Sequence, residues 1–184
     1  MATVPPVCDF GWQAPDFKLK NVDGQMVSLA DVSGENGTLV MFICNHCPYV
    51  KSILDRIIRD AKGLAKLGIG VVAINANDAE DYPEDSFEGM QAVAAKNEFP
   101  FPYLHDETQA VAKAYAAVCT PDFFGFNASG ELQYRGRLDA SRNQAGPTDL
   151  NRDLFEAMKL VVETGHGPVD QIPSMGCSIK WINA

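Results

Sequence analysis

The sequence predicts an α/β protein of three layers, in which helices cover both faces of a central sheet. Two buried apolar runs, at 39–43 and 69–75, are each followed by a segment whose apolar residues recur at helical spacing, the second after a polar loop. A strand, helix, strand order favours parallel strands, and their crossover helices cover the faces of the sheet. An antiparallel hairpin after residue 121 then closes the sheet.

Local patterns locate each element along the chain. The predicted elements, in order, are a hairpin at 14–29, a strand at 39–43, a helix at 50–65, a strand at 69–75, a helix at 87–96, an aromatic–proline connection at 99–104 that leads into a short strand, a helix at 108–118, strands at 122–127 and 132–138, and a helix ending at 164. The expected helix N-caps are Asp85 or Ser86, Asp106, and Thr148 or Asp149.

The two ends of the chain carry weaker patterns. Residues 1–14 are expected to form an irregular arm, and the tail at 166–184 is expected to be irregular but docked, because it carries several apolar side chains. Trp12 and Trp181 are expected to anchor the two ends. With 46% hydrophobic and 21% charged residues, 1–184 is expected to be one domain with a core at about 12–165.

Cys44 and Cys47 lie where the central strand is followed by a helix. A helix N-terminus offers unpaired N–H groups and a partial positive charge, and both favour the thiolate that attacks disulfides and peroxides. Pro48 suits the first helical turn. Cys-x-x-Cys is also half of a zinc site, but the sequence has no second such pair and no His-x-x-x-His, so redox chemistry is favoured and metal binding is the lesser alternative.

Composition disfavours several classes of partner. The net charge is −9 and no basic cluster exceeds two residues, so nucleic acid is not expected. No segment approaches the roughly 20 apolar residues that span a bilayer, and residues 1–15 do not look like a signal peptide. Five cysteines, an odd number, without an export signal indicate a reducing compartment, so we expect a cytoplasmic protein.

Three motifs carry a family resemblance: Ala14-Pro15-Asp16-Phe17, Cys44-Asn45-His46-Cys47 and Thr120-Pro121. Together they resemble the thioredoxin-like superfamily, in its peroxiredoxin-related AhpC/TSA (redoxin) branch. The resemblance implies a thioredoxin-like α/β/α sandwich with a peroxiredoxin-type N-terminal hairpin, and a cis Pro121 facing the cysteines. Segments 75–78, 134–137 and 176–181 further resemble a bacterial group of peroxiredoxin-like proteins.

The chain departs from both families at the cysteine motif. Ile43 stands where thioredoxins often carry Trp, and Thr38 stands where they keep a buried Asp, so a proton acceptor is expected to be missing. Aligning Cys47 with the peroxidatic cysteine of peroxiredoxins places Cys44 at their conserved Thr, so the hydroxyl that orients peroxide is expected to be absent.

The resemblance implies a role for each residue around the pair. By analogy with thioredoxin, Cys44 is the more exposed nucleophile and Cys47 resolves the mixed disulfide; in a peroxidase these roles reverse. His46 resembles the histidine of disulfide oxidases, which stabilises the thiolate, although it could be a solvent-facing loop residue. A cis Pro121 would place the Thr120 backbone beside the sulfurs, where a substrate chain could pair with it.

Arg137 and two further thiols complete the candidate site. Arg137 could orient peroxide or steady the thiolate, as an arginine does in peroxiredoxins, or lie on a solvated face. Cys119 could lie near the pair or be a buried core thiol, and Cys177 could be a second resolving thiol or a packed tail residue. Asn75, Asn77 and Asp78 could lie at the rim of the site or could form a turn. Cys8 is expected to be incidental, and His105 and His166 are isolated in the sequence.

These observations favour a cytoplasmic thiol–disulfide oxidoreductase that cycles Cys44 and Cys47 and exchanges with protein or low-molecular-weight thiols and disulfides. Thiol-dependent peroxide reduction is the second hypothesis, and a metal-binding or copper-handling module is the third. Cysteine chemistry requires no bound organic cofactor. Neither membrane nor nucleic acid is an expected partner, and a homodimer is left open.

Overall fold

The computed structural model describes residues 2–141, 144, 147 and 149–182. The strands are β1 (Ala2–Thr3), β2 (Lys18–Asn21), β3 (Met26–Ser28), β4 (Gly37–Phe42), β5 (Ile69–Asn75), β6 (Tyr103–His105), β7 (Cys119–Thr120), β8 (Asp122–Asn127), β9 (Leu132–Tyr134) and β10 (Gly176–Ser178). The helices are α1 (Leu29–Val32), α2 (Pro48–Lys51), α3 (Leu54–Lys66), α4 (Phe87–Lys96), α5 (Ala110–Ala114) and α6 (Asp153–Thr164), with a 3₁₀ turn at Pro83–Asp85.

The central sheet is mixed. Strands β3, β2, β6 and β5 are hydrogen-bonded in that order, and β4, β8 and β9 form a second run. The Ile43 N–H donates to the Ile74 carbonyl at 3.0 Å, which links the chain at the end of β4 to β5. The pair β5–β6 is parallel, whereas β2–β3 and β8–β9 are the two predicted antiparallel hairpins.

Both faces of β4 are buried, as the apolar run predicts. Leu39, Met41 and Ile43 belong to one hydrophobic cluster, which α3, α4 and α6 cover, while Val40 and Phe42 belong to a second cluster, which α5 covers. Alternating side chains of one strand therefore contribute to two cores, which confirms the three-layer arrangement. Among the described residues, no helix is both long enough and apolar enough to cross a membrane.

Three helices differ from the predicted ranges. The helix after the cysteines is divided into α2 and α3, with a break at residues 52–53. The helix expected at 108–118 is only α5, and its N-cap is Gln109, not Asp106. Helix α6 follows the N-cap Arg152, not Asp149; the other expected cap, Thr148, lies outside the described residues.

Tertiary hydrogen bonds account for some of these differences. Asp106 lies one turn before α5, where its carboxylate accepts the Ala112 N–H at 2.8 Å. Strand β9 ends at Tyr134 and not at Leu138, because the Arg137 N–H bonds to the tail carbonyl of Ile172 at 2.8 Å instead of continuing the hairpin.

The two ends of the chain are more regular than expected. The arm contributes β1 and the tail contributes β10, and the two strands form a small antiparallel sheet with β7 in the order β1, β10, β7. The expectation of an irregular arm and an irregular tail was therefore wrong at these strands, while the expected docking of the tail is confirmed. This small sheet places the tail beside the cysteine pair, because β7 ends at Thr120.

Candidate functional site

Cys44, Cys47 and Thr120 come together between the end of β4 and the end of β7. The Cys44 Sγ lies 3.1 Å from the Thr120 hydroxyl, and the Cys47 thiol donates to the Thr120 carbonyl at 3.2 Å. The Thr120–Pro121 peptide bond is cis, as the resemblance implies. Both cysteines are free thiols and are nearly inaccessible, with exposed fractions of 3% for Cys44 and 0% for Cys47. Cys44 is the slightly more exposed of the two, although both side chains are almost completely buried.

The two thiols have opposite electrostatic environments. Hydrogen bonding with the Cys44 thiol lowers the pKa of Cys47 against the effect of burial, and the side chain and N–H of Cys177 and the N–H of Val50 lower it further. The same hydrogen bond, burial and the Asp85 carboxylate raise the pKa of Cys44. In the dithiol form, the first proton to leave therefore leaves its negative charge on Cys47.

A buried carboxylate lies beside the pair, and sequence reasoning did not place it there. Asp85 is fully buried at the end of the 3₁₀ turn. Its oxygens accept the Asn45 N–H at 2.6 Å, the Asn75 amide at 3.1 Å and the Asn77 amide at 2.9 Å, and they also bond to His46 Nδ1. These contacts compensate for the burial of a carboxylate and orient the loop between the cysteines.

The site has a buried acid, Asp85, although Thr38 stands where thioredoxins keep their buried Asp. Thr38 is indeed buried in β4, but Asp85 supplies an acidic group from another element. The sequence offered Asp85 only as an alternative helix cap, and Ser86 takes that role by accepting the Gly89 N–H at 3.1 Å. Asn75 and Asn77 at the carboxyl end of β5 are the signal that could have identified Asp85. Their side-chain amides need a hydrogen-bond acceptor at that end of the sheet.

His46 is held in place and does not extend into solvent. Its ring stacks on Tyr82 with centroids 5.0 Å apart and planes 14° apart, while Nδ1 bonds to Asp85. Its neighbour Asn45 accepts a hydrogen bond from the buried Tyr103 hydroxyl at 2.8 Å. Both residues between the cysteines are therefore tied to the protein interior.

Three side chains at this site are of types that bind metal ions. The donor atoms of Cys44, His46 and Asp85 all lie within 4.8 Å of one another. However, a metal ion there would have to displace the His46–Asp85 hydrogen bond and compete with the amides that already bond to Asp85. The group is better explained as a hydrogen-bonded network than as a set of ligands, and it includes neither His105 nor His166.

Arg137 and Cys119 are not placed at the sulfurs. Arg137 donates to Asp153 at 2.6 Å and lines a cavity of about 220 Å³ that Pro121 shares but neither Cys44 nor Cys47 lines. Cys119 is fully buried, its thiol donates to the Pro121 carbonyl at 3.5 Å, and burial raises its pKa. Cys119 therefore fits the alternative of a packed core thiol.

A cleft of about 270 Å³ gives one route to the pair. Its lining residues are Ile43, Cys44, Asn45, Val50, Lys51, Leu54, Val93, Lys96, Asn97 and Phe99. Cys47 does not line this cleft, so a molecule bound there meets Cys44 first. Of the two lysines that line the cleft, Lys51 pairs with the Glu84 carboxylate at 3.5 Å.

Comparisons with known proteins identify the family and the fold of this chain. A model of the AhpC/TSA family matches residues 10–135. An uncharacterized conserved protein from Geobacillus kaustophilus is 47% identical with a TM-score of 0.94, covering 100% of this chain and 98% of its own. A hypothetical protein from Sinorhizobium meliloti 1021 is 37% identical with a TM-score of 0.93, and the match covers 100% of both chains.

A more distant structure shares the fold. The thioredoxin domain of a thiol-disulfide oxidoreductase from Bacteroides vulgatus has a TM-score of 0.60 at 16% identity, covering 83% of this chain and 97% of that one. The search of curated proteins gave no match. The fold is thus thioredoxin-like, and the family match supports a redox function.

Proposed function

Because the chain belongs to the AhpC/TSA family, we propose that it is a thiol–disulfide oxidoreductase that cycles Cys44 and Cys47 between dithiol and disulfide. The observation that carries the proposal is that both sulfurs lie against one residue, Thr120, next to the cis peptide bond: Cys44 Sγ is 3.1 Å from its hydroxyl and Cys47 donates to its carbonyl at 3.2 Å. Two thiols held on the same residue are placed to close a disulfide with little movement of the chain.

The environments of the two thiols suggest how they share the reaction. A substrate disulfide in the cleft meets Cys44, whose sulfur attacks while its proton passes to the Cys47 thiolate. One substrate sulfur leaves as a thiolate, which takes up a proton from solvent, and the other stays bonded to Cys44. Cys47 then loses its proton to the departing sulfur and attacks Cys44, which closes the Cys44–Cys47 disulfide and reduces the substrate to two thiols. This keeps Cys44 as the attacking sulfur and gives Cys47 the additional role of base.

Strand β10 of the tail limits which substrates can reach Thr120 and the cysteines. Strand β10 pairs with β7 at Thr120, so an extended polypeptide cannot pair at that edge while β10 is in place. The open route is the cleft beside Cys44, whose volume suits a small molecule. We therefore propose low-molecular-weight disulfides or thiols as the preferred substrates over polypeptides, in a reducing, cytoplasmic setting where five free cysteines would persist.

Peptide mapping after mild oxidation tests the proposal. The wild-type protein, treated with one equivalent of diamide, should yield a Cys44–Cys47 disulfide under non-reducing conditions. Cys44→Ser and Cys47→Ser should both abolish reduction of a small disulfide substrate, whereas Cys119→Ser should retain it, because Cys119 is packed away from the pair. A wild-type protein that forms no Cys44–Cys47 bond would rule out the proposal.

Peroxide reduction is the second candidate, and one contact favours it. The Thr120 hydroxyl lies 3.1 Å from the Cys44 sulfur, so a hydroxyl is available at the site although the peroxiredoxin threonine is replaced by Cys44. Here the Cys47 thiolate would attack the peroxide, releasing water or an alcohol and leaving a sulfenic acid, which the Cys44 thiol would convert to the disulfide with loss of water. Thiol-dependent peroxide consumption by the wild type, abolished in Cys47→Ser, would support this reaction. No consumption by the wild type would exclude it.

A further inference from the structure

Strand β10 brings a third cysteine to the redox pair. Cys177 is the residue of β10 that lies opposite Thr120 in the antiparallel pairing, and Ala2 of β1 lies opposite it on the other side. The approach of the strands is close: a Cβ added at Gly176 would lie 2.0 Å from the Thr120 carbonyl oxygen. Cys177 is therefore held at a defined position next to the cis peptide bond.

Cys47 and Cys177 meet at Thr120. The Cys47 thiol donates to the Thr120 carbonyl at 3.2 Å, and the pairing of β10 with β7 places Cys177 opposite Thr120. In agreement with this proximity, the side chain and the N–H of Cys177 both lower the pKa of Cys47. Cys177 also packs against the hydrophobic cluster that contains Cys44 and Cys47. Of the three, Cys177 is the one that is partly exposed, whereas the other two are buried.

We propose that Cys177 is a third redox thiol, which accepts the disulfide from the Cys44–Cys47 pair and presents it to the external reductant. The proposal rests on the proposed cycling of Cys44 and Cys47. In the step, the Cys177 thiolate attacks the Cys47 sulfur, the Cys44–Cys47 bond breaks, and Cys44 leaves as a thiolate that takes up the proton released by Cys177. The exchange produces a Cys47–Cys177 disulfide without net oxidation.

The exposed sulfur then completes the cycle. An external thiol, such as a small dithiol, attacks Cys177 in the Cys47–Cys177 bond and forms a mixed disulfide, and a second thiol releases it, restoring three reduced cysteines. Cys177 lies where an extended substrate strand would pair beside Thr120. The tail therefore presents its own thiol at the position that a substrate polypeptide would occupy. Two small-molecule reactions at different sulfurs, Cys44 and Cys177, are thereby connected through the buried Cys47.

The test is disulfide mapping in a protein that lacks Cys44. Cys44→Ser, oxidised with one equivalent of diamide and digested without reductant, should give an intramolecular Cys47–Cys177 bond. The bond should persist in Cys44→Ser/Cys119→Ser, a matched control whose second substitution lies on the paired strand β7, and should be lost in Cys44→Ser/Cys177→Ser. If Cys44→Ser yields only intermolecular or diamide-derived adducts of Cys47, the proposal is wrong. Circular dichroism of each variant confirms that it is folded.

A measurement on the wild type is independent of these variants. Oxidised protein is exposed to the alkylating agent N-ethylmaleimide, and mass spectrometry identifies which of Cys44, Cys47 and Cys177 is the free thiol in each molecule. Molecules labelled at Cys44 and not at Cys177 carry the transferred disulfide, and Cys177→Ser should remove that population. Labelling only at Cys177 would overturn the inference while leaving the Cys44–Cys47 proposal intact, and a wild type without any disulfide would instead refute the proposed function.

Discussion

His46 and Asp85 hydrogen-bond to each other although they are 39 positions apart in the chain. His46 belongs to the loop between the redox cysteines, and Asp85 is the buried last residue of the 3₁₀ turn. The contact therefore ties the Cys-x-x-Cys loop to a carboxylate that no local pattern connects with it. The redox chemistry of Cys44 is expected to depend on this carboxylate.

Replacing Asp85 with Asn should lower the pKa of Cys44, because the negative charge of Asp85 disfavours a thiolate beside it. The pH dependence of alkylation by iodoacetamide measures this in a Cys47→Ser background, where Cys44 is the only cysteine left in the motif. Glu84→Gln is a matched control, since Glu84 is adjacent in sequence but its side chain is 66% exposed. An unchanged or raised pKa of Cys44 in Asp85→Asn would contradict the argument.

Replacing Thr120 with Val should have the opposite effect. The Thr120 hydroxyl lowers the pKa of Cys44 by hydrogen bonding, so its loss should raise that pKa and slow alkylation at neutral pH. Val keeps the shape and the backbone carbonyl that Cys47 contacts. Thr120→Ser, which retains a hydroxyl, should behave like the wild type; equal slowing in both variants would point to packing and not to the hydroxyl.

Replacing Gly176 with Ala should weaken the docking of β10. An added Cβ would lie 2.0 Å from the Thr120 carbonyl oxygen, so the strand must shift, and overpacking of this kind costs about 1–3 kcal/mol. Urea denaturation measures the free energy of unfolding. Ser178→Ala, on the same strand, should change it by less than about 0.5 kcal/mol. Equal stability of Gly176→Ala and the wild type would mean that the tail tolerates the displacement.

The ion pair between Arg56 and Asp139 should stabilise the protein in a pH-dependent way. Burial raises the pKa of Asp139, but hydrogen bonds from Ser141 and Arg56 outweigh it, so the net effect is a lowered pKa. A carboxyl group with a lowered folded pKa contributes stability that is fully present above its unfolded pKa near 3.8 and is lost as the pH falls through the folded pKa.

Asp139→Asn should therefore cost roughly 1–3 kcal/mol at neutral pH, as for a hydrogen bond to a charged group. The difference from the wild type should shrink once the pH falls below about 3.8. Denaturation at a series of pH values measures it. Asp55→Asn is the control, because Asp55 meets the same Arg56 at 3.9 Å but is 78% exposed. A difference that grows on acidification would have the wrong sign and reject the assignment.

Elements with a strong local period were predictable from the sequence. The run at 69–75 is β5 and the helix at 87–96 is α4, each with the predicted bounds. A strand that is buried on both faces gives a continuous apolar run, and a helix that is buried along one side gives apolar residues at helical spacing. The meeting of Cys44, Cys47 and Thr120 at a cis peptide bond was predictable for a different reason. Family resemblance, and not local chemistry, carried that expectation.

The layered α/β fold and the cysteine pair at a strand–helix junction follow from local patterns in the chain. The positions of Asp85 beside Cys44 and of Cys177 opposite Thr120 follow only from the folded structure. Amides at the end of β5 bind the Asp85 carboxylate, and the backbone pairing of β10 with β7 places Cys177. Hydrogen bonds between segments that are far apart in the sequence produce no repeating pattern of apolar and polar residues. The groups that surround the cysteine pair therefore cannot be identified from local sequence patterns.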